Sequence, residues 1–420
     1  MGLTEGDMTI QRDGRLGEIQ RRQFIGAGVS LMGGLISGRI QGKETYDLPF
    51  ENGVRELVQY PQKRPLIRLT SRPPQLETPM AVFNEGVLTP NDAFFVRYHL
   101  AGSPPSKAML EGDAFRVSLA GAVGKPLEMT VAELVRRFEV VEVTAVNQCS
   151  GNGRGLFLPR VSGGQMGNGA MGCARWKGVR LADVLKSAEL SAGARQVSFD
   201  GLDRPPTPGV PDFVKVLEMD QALDPDVLLA VEMNGEPLPW LNGFPLRLVV
   251  PGHYGTYWIK HLHRITVLDS EYKGYWMDPA YRIPDDPCAH VAPGTKPRRT
   301  IPIGRFNVRS FITSHPEGGV VRAGEMVRVR GIAFDGGAGI REVTFSADGG
   351  RNWQGAELGR DPGRFGFREW TVDWQPGGKG ERVLWAKATN RLGESQPLEP
   401  LWNPAGYMRN VVESVKVRVA

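Results

Sequence analysis

The sequence predicts two successive folds, an α+β domain and then an all-β sandwich of the immunoglobulin type. At 420 residues the chain is too long for one hydrophobic core. The first part mixes strand patterns with short helix patterns, whereas the residues after 305 show only short alternating strands between Gly-, Pro- or Asp-bearing turns. Glycine (53) and proline (32) are abundant, which favours turns and short strands over long helices.

These patterns divide the chain into three segments. We expect an export signal over residues 1–40, the α+β domain over 41–290 and the sandwich over 300–420. Residues 285–305 are rich in Pro, Arg, Asp and Gly without periodicity, which makes them the best linker candidate. Residues 41–80 are rich in Pro and charge, and we expect them to be an extended lead-in on the surface.

The N-terminal segment resembles a twin-arginine export signal. RRQFI at 21–25 precedes the weakly apolar, glycine-rich GAGVSLMGGLIS at 26–37. That stretch is too short and too rich in glycine to span a bilayer stably. Because this route exports folded proteins, it suits a protein whose cofactor is inserted in the cytoplasm. We therefore expect a periplasmic protein; no clear A-x-A site follows, so retention as an anchor is an open alternative.

Charge and cysteine usage restrict the partners. The net charge of +5 is mild and spread along the sequence, so we expect no nucleic-acid partner. A modestly basic surface favours an anionic substrate, although scattered Lys and Arg also form ordinary solvated faces. The chain has three cysteines, Cys149, Cys173 and Cys288, and neither a CxxC pair nor a CxxCH haem site. Any electrons must therefore leave to another protein, and Cys173 and Cys288 are either bonded or two free thiols.

Local patterns predict the elements of the α+β domain. FRVSLAGAV (115–123) predicts a strand, and MTVAELVRRF (129–138) predicts a short helix that begins with a capping box of Thr130 and Glu133. The β-branched run that follows predicts a buried strand that ends at Cys149.

Two further patterns flank this central stretch. FFVRYHL (94–100) has strand composition and places Arg97 and His99 on one side of the alternation, where they face either a site or solvent. Asn234-Gly235 predicts a hairpin turn ahead of a strongly apolar strand.

The stretch VEVTAVNQCSGNGRGL (141–156) is the strongest candidate for a site. It delivers Cys149 to a loop with three glycines, whose lack of side chains allows a ligand to approach the backbone closely. A thiolate is a soft metal ligand. The alternative is a small buried hydrophobic residue before an ordinary Gly/Asn turn.

Taken together, these segments resemble the sulfite oxidase family of molybdenum enzymes, and in particular its bacterial exported branch of sulfite dehydrogenases and SoxC-like sulfane dehydrogenases. The resemblance implies a mixed molybdopterin-binding domain followed by an immunoglobulin-like dimerisation domain. The matching segments are FFVRYHL (94–100), NQCSGNGRGL (147–156), ARWKGVRLADVL (174–185), MNGEPLPWLNGFPLRLVVPG (233–252), YWIK (257–260), AYRIP (280–284), LWAKATNRLGESQP (384–397) and WNPAGYMRN (402–410).

The resemblance also implies roles for individual residues. Cys149 would be the single protein ligand of molybdenum, beside the dithiolene of a pyranopterin. The residues implied as catalytic are Arg97, Arg154, Tyr281 and Trp176. For the catalytic tyrosine, Tyr272 and Tyr275 are nearby alternatives to Tyr281. The residues implied to hold the pterin and its phosphate are Phe95, Val96, His99, Asp203, Asn242, Arg247, Trp258, Ile259 and Lys260.

Three positions depart from the vertebrate pattern. Gly153 and Ala405 stand where the vertebrate enzymes carry arginines, and Asn242 stands where they carry a histidine that contacts the pterin. Fewer positive groups weaken the attraction for a free anion, by about 1 kcal/mol for each partly exposed contact. This leaves room for a sulfur substrate bound to a thiol or a carrier protein.

The resemblance implies that the chain oxidises sulfite to sulfate and passes electrons to a separate c-type cytochrome, as a homodimer or as a heteromer with a cytochrome subunit. A SoxC-like subunit that oxidises carrier-bound sulfur is the main alternative, and a reductase of the same fold is a weaker one. A non-catalytic protein that kept the scaffold is the alternative from a different class.

Overall fold

The computed structural model describes residues 45–48 and 52–420. The expected export signal lies outside the described residues, so it stays a prediction. The described chain is mostly β, and none of its helices is long and apolar enough to cross a membrane. The helices are α1 (Val131–Arg137), α2 (Leu181–Ser187) and α3 (Met219–Ala222), with short 3-10 helices at Met80–Asn84, Lys107–Met109, Gly112–Ala114, Arg154–Leu156, Trp240–Asn242 and Gly255–Tyr257.

The strands follow one another closely along the described chain. They are β1 (Thr45–Leu48), β2 (Gly53–Val58), β3 (Leu66–Ser71), β4 (Pro74–Glu77), β5 (Val96–Arg97), β6 (Arg116–Gly121), β7 (Leu127–Thr130), β8 (Val140–Gln148), β9 (Met171–Arg180), β10 (Gln196–Gly201), β11 (Val214–Glu218), β12 (Leu228–Met233), β13 (Glu236–Pro237), β14 (Arg247–Val249), β15 (Leu262–Leu268), β16 (Arg282–Pro284), β17 (Thr300–Pro302), β18 (Arg309–Ile312), β19 (Gly319–Val321), β20 (Val327–Phe334), β21 (Ile340–Ser346), β22 (Gln354–Gly355), β23 (Glu357–Leu358), β24 (Arg368–Trp374), β25 (Gly380–Asn390) and β26 (Ser414–Val419).

The first five strands form an antiparallel sheet in the order β1–β2–β3–β4–β5, so the expectation of a surface lead-in is wrong. Leu66 and Leu76 are buried with Val96 of β5 in a small hydrophobic core. Pro61 and Pro65 lie between strands, where a missing N–H costs no ladder hydrogen bond. Their density in the sequence concealed the alternating strands that they separate.

Two sheets carry the central part of the chain. One has the order β11–β10–β15–β6–β7, with a parallel pair β15–β6, and the other has the order β13–β12–β9–β8, with β14 paired to β12. The predicted strand at 115–123 is confirmed as β6, and the predicted helix as α1 with the capping box of Thr130 and Glu133. The predicted strand before Cys149 is confirmed as β8, which is the edge strand of the second sheet.

The predicted hairpin at Asn234-Gly235 is confirmed, and the strand predicted at 94–100 is shorter than expected. Asn234 (φ 56°) and Gly235 (φ 84°) make the turn between β12 and β13, as expected for a turn that needs positive φ twice. Of the predicted strand at 94–100, only Val96–Arg97 pairs, with β4. The chain then bends, which turns Arg97 and His99 toward the same cavity described below.

The C-terminal strands form two sheets, β18–β20–β24–β23 and β19–β26–β25–β21–β22, that enclose one hydrophobic core. This half is nevertheless not separate from the rest. Phe306, Phe334, Phe365 and Phe367 belong to the main core of the central sheets. β17 pairs with β16, so the predicted linker 285–305 contains a strand of a two-stranded ribbon.

Candidate active site

The loop after β8 is held tightly by backbone hydrogen bonds. The Cys149 N–H donates to the Ala170 carbonyl (2.9 Å), and the Asn152 N–H donates to the Cys149 carbonyl (3.0 Å). Gly153 has φ +84°, a left-handed conformation that glycine adopts without strain. The cysteines are free thiols, and Cys173 lies fully buried in the core while Cys288 is exposed. Of the two alternatives for Cys173 and Cys288, free thiols are the one observed.

Cys149 lines a cavity that lies between segments far apart in the sequence. The walls come from the β5 segment, the β8 loop, the 240–260 region and the segment around Tyr281. The lining residues are Phe94, Phe95, Arg97, His99, Asn147, Cys149, Ser150, Asp203, Phe213, Leu241, Asn242, Arg247, Gly255, Thr256, Trp258, Ile259, Lys260 and Tyr281.

Two buried cations line one side of the cavity. The guanidinium of Arg247 makes cation–π contacts with both Trp176 (5.2 Å to its centroid) and Trp258 (5.7 Å), and its Nη1 donates to the Asn242 carbonyl (2.8 Å). Burial lowers the pKa of Arg247 to about 9. Lys260 donates to the Arg97 carbonyl (2.6 Å). Burial lowers the pKa of Lys260 as well, and the nearby charge of Arg247 lowers it further. Buried positive charge of this kind favours an anion in the cavity.

Asp203 and Asn242 supply polar groups beside these cations. Burial raises the pKa of Asp203 above its usual range, although Lys260 opposes that shift. The amide of Asn242 is held on both sides, since its Nδ2 donates to the Phe95 carbonyl (3.0 Å) and its Oδ1 accepts from Lys63 (2.5 Å). The orientation of Asn242 is therefore set by the protein before any ligand binds.

Four aromatic rings form two stacked pairs that meet edge-on at His99 and Tyr281. The Tyr281 hydroxyl is hydrogen-bonded to His99 Nε2, and the Tyr281 ring stacks on Tyr407 (5.5 Å, 8°). The Arg154 guanidinium lies 4.9 Å from the Tyr407 centroid, on which it makes a cation–π contact. His99 in turn stacks on Phe213 (3.7 Å, 13°). This packing holds the Tyr281 hydroxyl at the cavity.

Burial sets the protonation of His99 and Tyr281. It lowers the pKa of His99 well below the usual range, and the charges of Arg97 and Lys260 lower it further, so His99 is neutral at neutral pH. Burial also raises the pKa of Tyr281 above its ordinary value. A neutral imidazole and a neutral phenol can share one proton between oxygen and nitrogen.

The cavity also has polar atoms that the described residues leave unsatisfied. Neither the Oδ1 nor the Nδ2 of Asn147 makes a hydrogen bond within the described chain. The hydroxyls of Ser150 and Thr256 and the Nε atoms of Arg97 and Arg247 also lack a hydrogen-bond partner there. Buried polar groups normally have partners, so these atoms indicate a polar ligand. Hydrogen-bond donors and cations around a single cysteine suit a pyranopterin whose phosphate is anionic and whose metal needs one thiolate.

The structure brings most of the expected site residues to this cavity, but not three of them. Val96 points into the small core of the first sheet, because neighbouring residues of a strand face opposite sides. Trp176 is fully buried behind Arg247 and Trp258, and its indole N–H donates to the Ala145 carbonyl (3.0 Å). Arg154 lies behind Tyr407 and donates through Nε to the Ala405 carbonyl (3.1 Å). Of the three tyrosines considered, Tyr281 is the one that lines the cavity.

Sequence reasoning missed several residues of the site. Asn147 and Ser150 flank Cys149, and a run of polar residues at the end of a buried strand was the signal for them. Lys215 and Tyr407 left no such signal. The Lys215 ammonium lies under the Tyr281 ring (4.9 Å to the centroid) and donates to the Trp276 carbonyl (2.5 Å). Only the packing of β11 shows that Lys215 points inward.

Known proteins share both parts of this architecture. A family model described as the oxidoreductase molybdopterin binding domain matches residues 102–276, and one described as the Mo-co oxidoreductase dimerisation domain matches residues 300–420. Mitochondrial sulfite oxidase of Mus musculus is 35% identical over 377 residues, which cover 86% of this chain and 67% of that protein. The chain belongs to the sulfite oxidase family.

A plant relative and a solved structure give further comparisons. The sulfite oxidase of Arabidopsis thaliana is 31% identical over 400 residues, which cover 89% of this chain and 99% of the relative. The crystal structure of the sulfane dehydrogenase SoxCD from Paracoccus pantotrophus has a TM-score of 0.67 and covers 92% of each chain at 23% identity, so it shares the fold. The chain is thus an oxidoreductase of this family, and its cofactor is molybdenum bound by molybdopterin.

Proposed function

We propose that this protein oxidises sulfite to sulfate, with water as the source of the added oxygen and the release of two electrons and two protons. The observation that carries the proposal is the arrangement of Cys149, Arg97 and the His99–Tyr281 pair around one cavity. The bound molybdenum supplies the two-electron oxidation and the transfer of oxygen to sulfur. The protein has to hold the cofactor, bind the anion and manage the proton.

The cationic side of the cavity suits the cofactor. Arg247 and Lys260 would bind the phosphate of the pterin, because both are buried without enough negative charge to neutralise them. Asn147, Ser150 and Thr256 would bind polar atoms of the pterin through the groups that are otherwise unsatisfied. Cys149 would be the protein ligand of the metal, since its thiol faces the same cavity.

Arg97 and Tyr281 suit the substrate. Arg97 lines the cavity with its Nε unsatisfied in the described structure, and a planar guanidinium binds an oxyanion through two parallel donors. The Tyr281 hydroxyl would bind an oxygen of the substrate or of the attacking water, and His99 would accept or return the proton through Nε2. Phe213 and the rings packed on it exclude bulk water from this side.

The test is sulfite-dependent reduction of ferricyanide by protein with a measured molybdenum content. Ferricyanide replaces the unidentified natural acceptor. We expect rapid turnover by the wild type and none by Cys149→Ser, which leaves the fold intact, whereas Cys288→Ser is the matched control with wild-type activity. Wild-type turnover by Cys149→Ser would refute the proposed role of Cys149.

A second candidate is oxidation of sulfane sulfur on a carrier protein. It is favoured by the position of Arg154, which is hydrogen-bonded to the Ala405 carbonyl and covered by Tyr407 instead of lining the cavity. With Gly153 and Ala405 in place of arginines, Arg97 is the one guanidinium of the described chain that is available to a small anion there, because Arg247 is taken by the cofactor. Molybdenum-loaded protein that ignores free sulfite but reduces ferricyanide with a carrier-bound sulfane would support this candidate.

The remaining proposals concern partners and location. The electron acceptor would be a separate c-type cytochrome, because the sequence has no haem-attachment motif or second set of cysteine ligands. Residues 300–420 would form an immunoglobulin-type sandwich that joins two copies of the chain, which sedimentation analysis of the full-length protein measures. The RRQFI segment would direct folded protein to the periplasm, and fractionation of the native host tests that location.

A further inference from the structure

A buried network joins the C-terminal half to the loop that carries Cys149. Its centre is Arg309 on β18, whose side chain is 1% exposed. The Arg309 guanidinium donates to Gln148 Oε1 (3.2 Å), to Asn168 Oδ1 (2.9 Å) and to Glu413 Oε1 (3.3 Å). One arginine from the second half therefore reaches the residue directly before Cys149.

Gln148 is held from two directions. Its Oε1 also accepts from Asn152 Nδ2 (3.3 Å), and Asn152 Oδ1 accepts from the Ala170 N–H (3.0 Å). The carbonyl of Ala170 accepts a hydrogen bond from the Cys149 N–H. Gln148, Asn152 and Ala170 thus form a closed set of contacts around Cys149, and Arg309 is the charged member that anchors it.

The alternation of side chains at the end of β8 links the orientation of Gln148 to that of Cys149. Asn147 and Cys149 line the cavity, whereas Gln148 points to the opposite side. Because successive side chains of an extended chain face opposite sides, holding Gln148 away from the cavity also holds Cys149 toward it. A rotation of Gln148 would move the thiol.

A second contact fastens the far end of the loop. Arg409 binds Glu413 through two hydrogen bonds (3.0 Å each) and donates to the Leu156 carbonyl (3.2 Å). Glu413 is shared by Arg309 and Arg409, so the two arginines form one unit that contacts both ends of the Cys149 loop. An ion pair this deeply buried depends on each of its members.

We propose that Arg309 is a positioning residue for Cys149, acting through Gln148 from the C-terminal half of the chain. The inference rests on the proposed role of Cys149 as the molybdenum ligand. It assigns a task in the active site to a half of the chain whose sequence indicates only structure and dimerisation. It holds for either sulfur substrate, because it concerns the geometry of the thiol and not the substrate.

The test measures the reactivity of Cys149 in full-length protein that lacks the cofactor. Cys288→Ser is the parent for all variants, because it removes the exposed thiol, and Cys173 is fully buried. The rate of alkylation of Cys149 by iodoacetamide is followed by peptide mass spectrometry in Arg309→Met, Gln148→Met and the double variant. Arg328→Met is the matched control, since Arg328 lies on the exposed face of β20 and pairs with Asp373.

We expect both single variants to change the alkylation rate by about fivefold or more, and to hold less molybdenum per chain after cofactor loading. The double variant should change the alkylation rate by less than the product of the two single changes, because both substitutions remove the Arg309–Gln148 hydrogen bond. Arg309→Lys should recover part of the parent rate, since it keeps the charge but not the fork of donors. Arg328→Met should match the parent in both measurements.

Parent-like alkylation rates and molybdenum contents in Arg309→Met and Gln148→Met would overturn the inference. If Arg309→Met fails to fold, Gln148→Met still removes the same hydrogen bond without leaving a new buried charge on β8. A failure of the proposed function gives a different result: Cys149 of the parent would then be alkylated as fast in molybdenum-loaded protein as in cofactor-free protein.

Discussion

Two buried lysines lie behind residues that line the cavity, Lys63 against Asn242 and Lys215 against Tyr281. Lys63 and Lys215 are almost fully buried, and each donates to backbone carbonyls instead of pairing with a carboxylate of the described chain. A lysine in a Pro-rich stretch, or in an alternating strand such as FVKVLEM, looks like part of a solvated face. Local sequence therefore located Cys149 and Arg97, which belong to strong motifs, but not these lysines, whose burial depends on packing between distant segments.

The burial of Lys63 predicts a pH dependence of stability. Burial lowers the pKa of Lys63 to about 7, whereas the unfolded chain has the ordinary value of 10.5. Between these values the unfolded state binds more protons, so the free energy of unfolding rises with pH by up to about 1.4 kcal/mol per pH unit from this residue. Below pH 7 both states are protonated and the contribution is constant.

Lys63→Met should remove this contribution. In urea unfolding, the gain in stability between pH 7.5 and pH 9.5 should be smaller in Lys63→Met than in the wild type by about 2 kcal/mol. Lys125→Met is the control, because Lys125 is 66% exposed at its side chain and should leave the slope unchanged. Equal slopes in all three proteins would mean that Lys63 is protonated to the same extent in both states.

At the scale of elements, the sequence predicted a helix or turn correctly where neighbouring residues alone determine it. The capping box of α1 and the Asn234-Gly235 turn need only neighbouring residues, and both formed as predicted. The first sheet was missed because a Pro- and charge-rich stretch hid its short strands, although most of these strands pair with the next strand along the chain. The short β5 was over-predicted, because nothing local shows that the chain bends after Arg97 to reach the cavity.

The Cys149 loop supplies a prediction at this scale. Gly153 has φ +84°, and a Cβ there would lie 2.9 Å from Arg409 Cδ. Gly153→Ala should therefore lower the free energy of unfolding by about 1–3 kcal/mol. Gly193→Ala is the control, because a Cβ at Gly193 meets no atom within 4 Å and its φ is not positive.

Urea denaturation of both variants measures the difference. An unchanged midpoint for Gly153→Ala would contradict the strain argument. The same geometry explains why an arginine cannot simply be added at Gly153 to match the vertebrate enzymes. Its side chain would have to displace Arg409, which is already bonded to Glu413 and to the loop.

At the scale of the whole molecule, aromatic residues of the second half extend the main hydrophobic core of the first, although the second half also has a core of its own. Phe367 packs edge-on against Phe83 (5.9 Å between centroids), and Phe306 packs against Tyr254 (5.4 Å). The Val146 N–H on β8 donates to the Phe365 carbonyl (2.9 Å). The change from mixed helix and strand patterns to strand patterns alone near residue 300 marks a change of architecture. The sequence could not show that aromatic residues of the second part pack into the core of the first.

This shared core predicts a single cooperative unfolding transition. Near-ultraviolet circular dichroism and tryptophan fluorescence should give coincident urea curves for the full-length protein, because neither half can lose its packing without exposing the other. Phe367→Ala should shift the whole curve by about 3–5 kcal/mol instead of splitting it. Two separated transitions would show that the halves unfold independently.

The bracing of the Cys149 loop by Arg309, Arg409 and Glu413 has a consequence for biosynthesis. Arg309, Arg409 and Glu413 all follow Cys149 by about 160 residues or more, so a growing chain exposes the loop before the residues that brace it have been made. The thiol therefore gains its final orientation only after residues 309–413 have been translated. A nascent chain that ends before Glu413 would present an incomplete site to the cofactor.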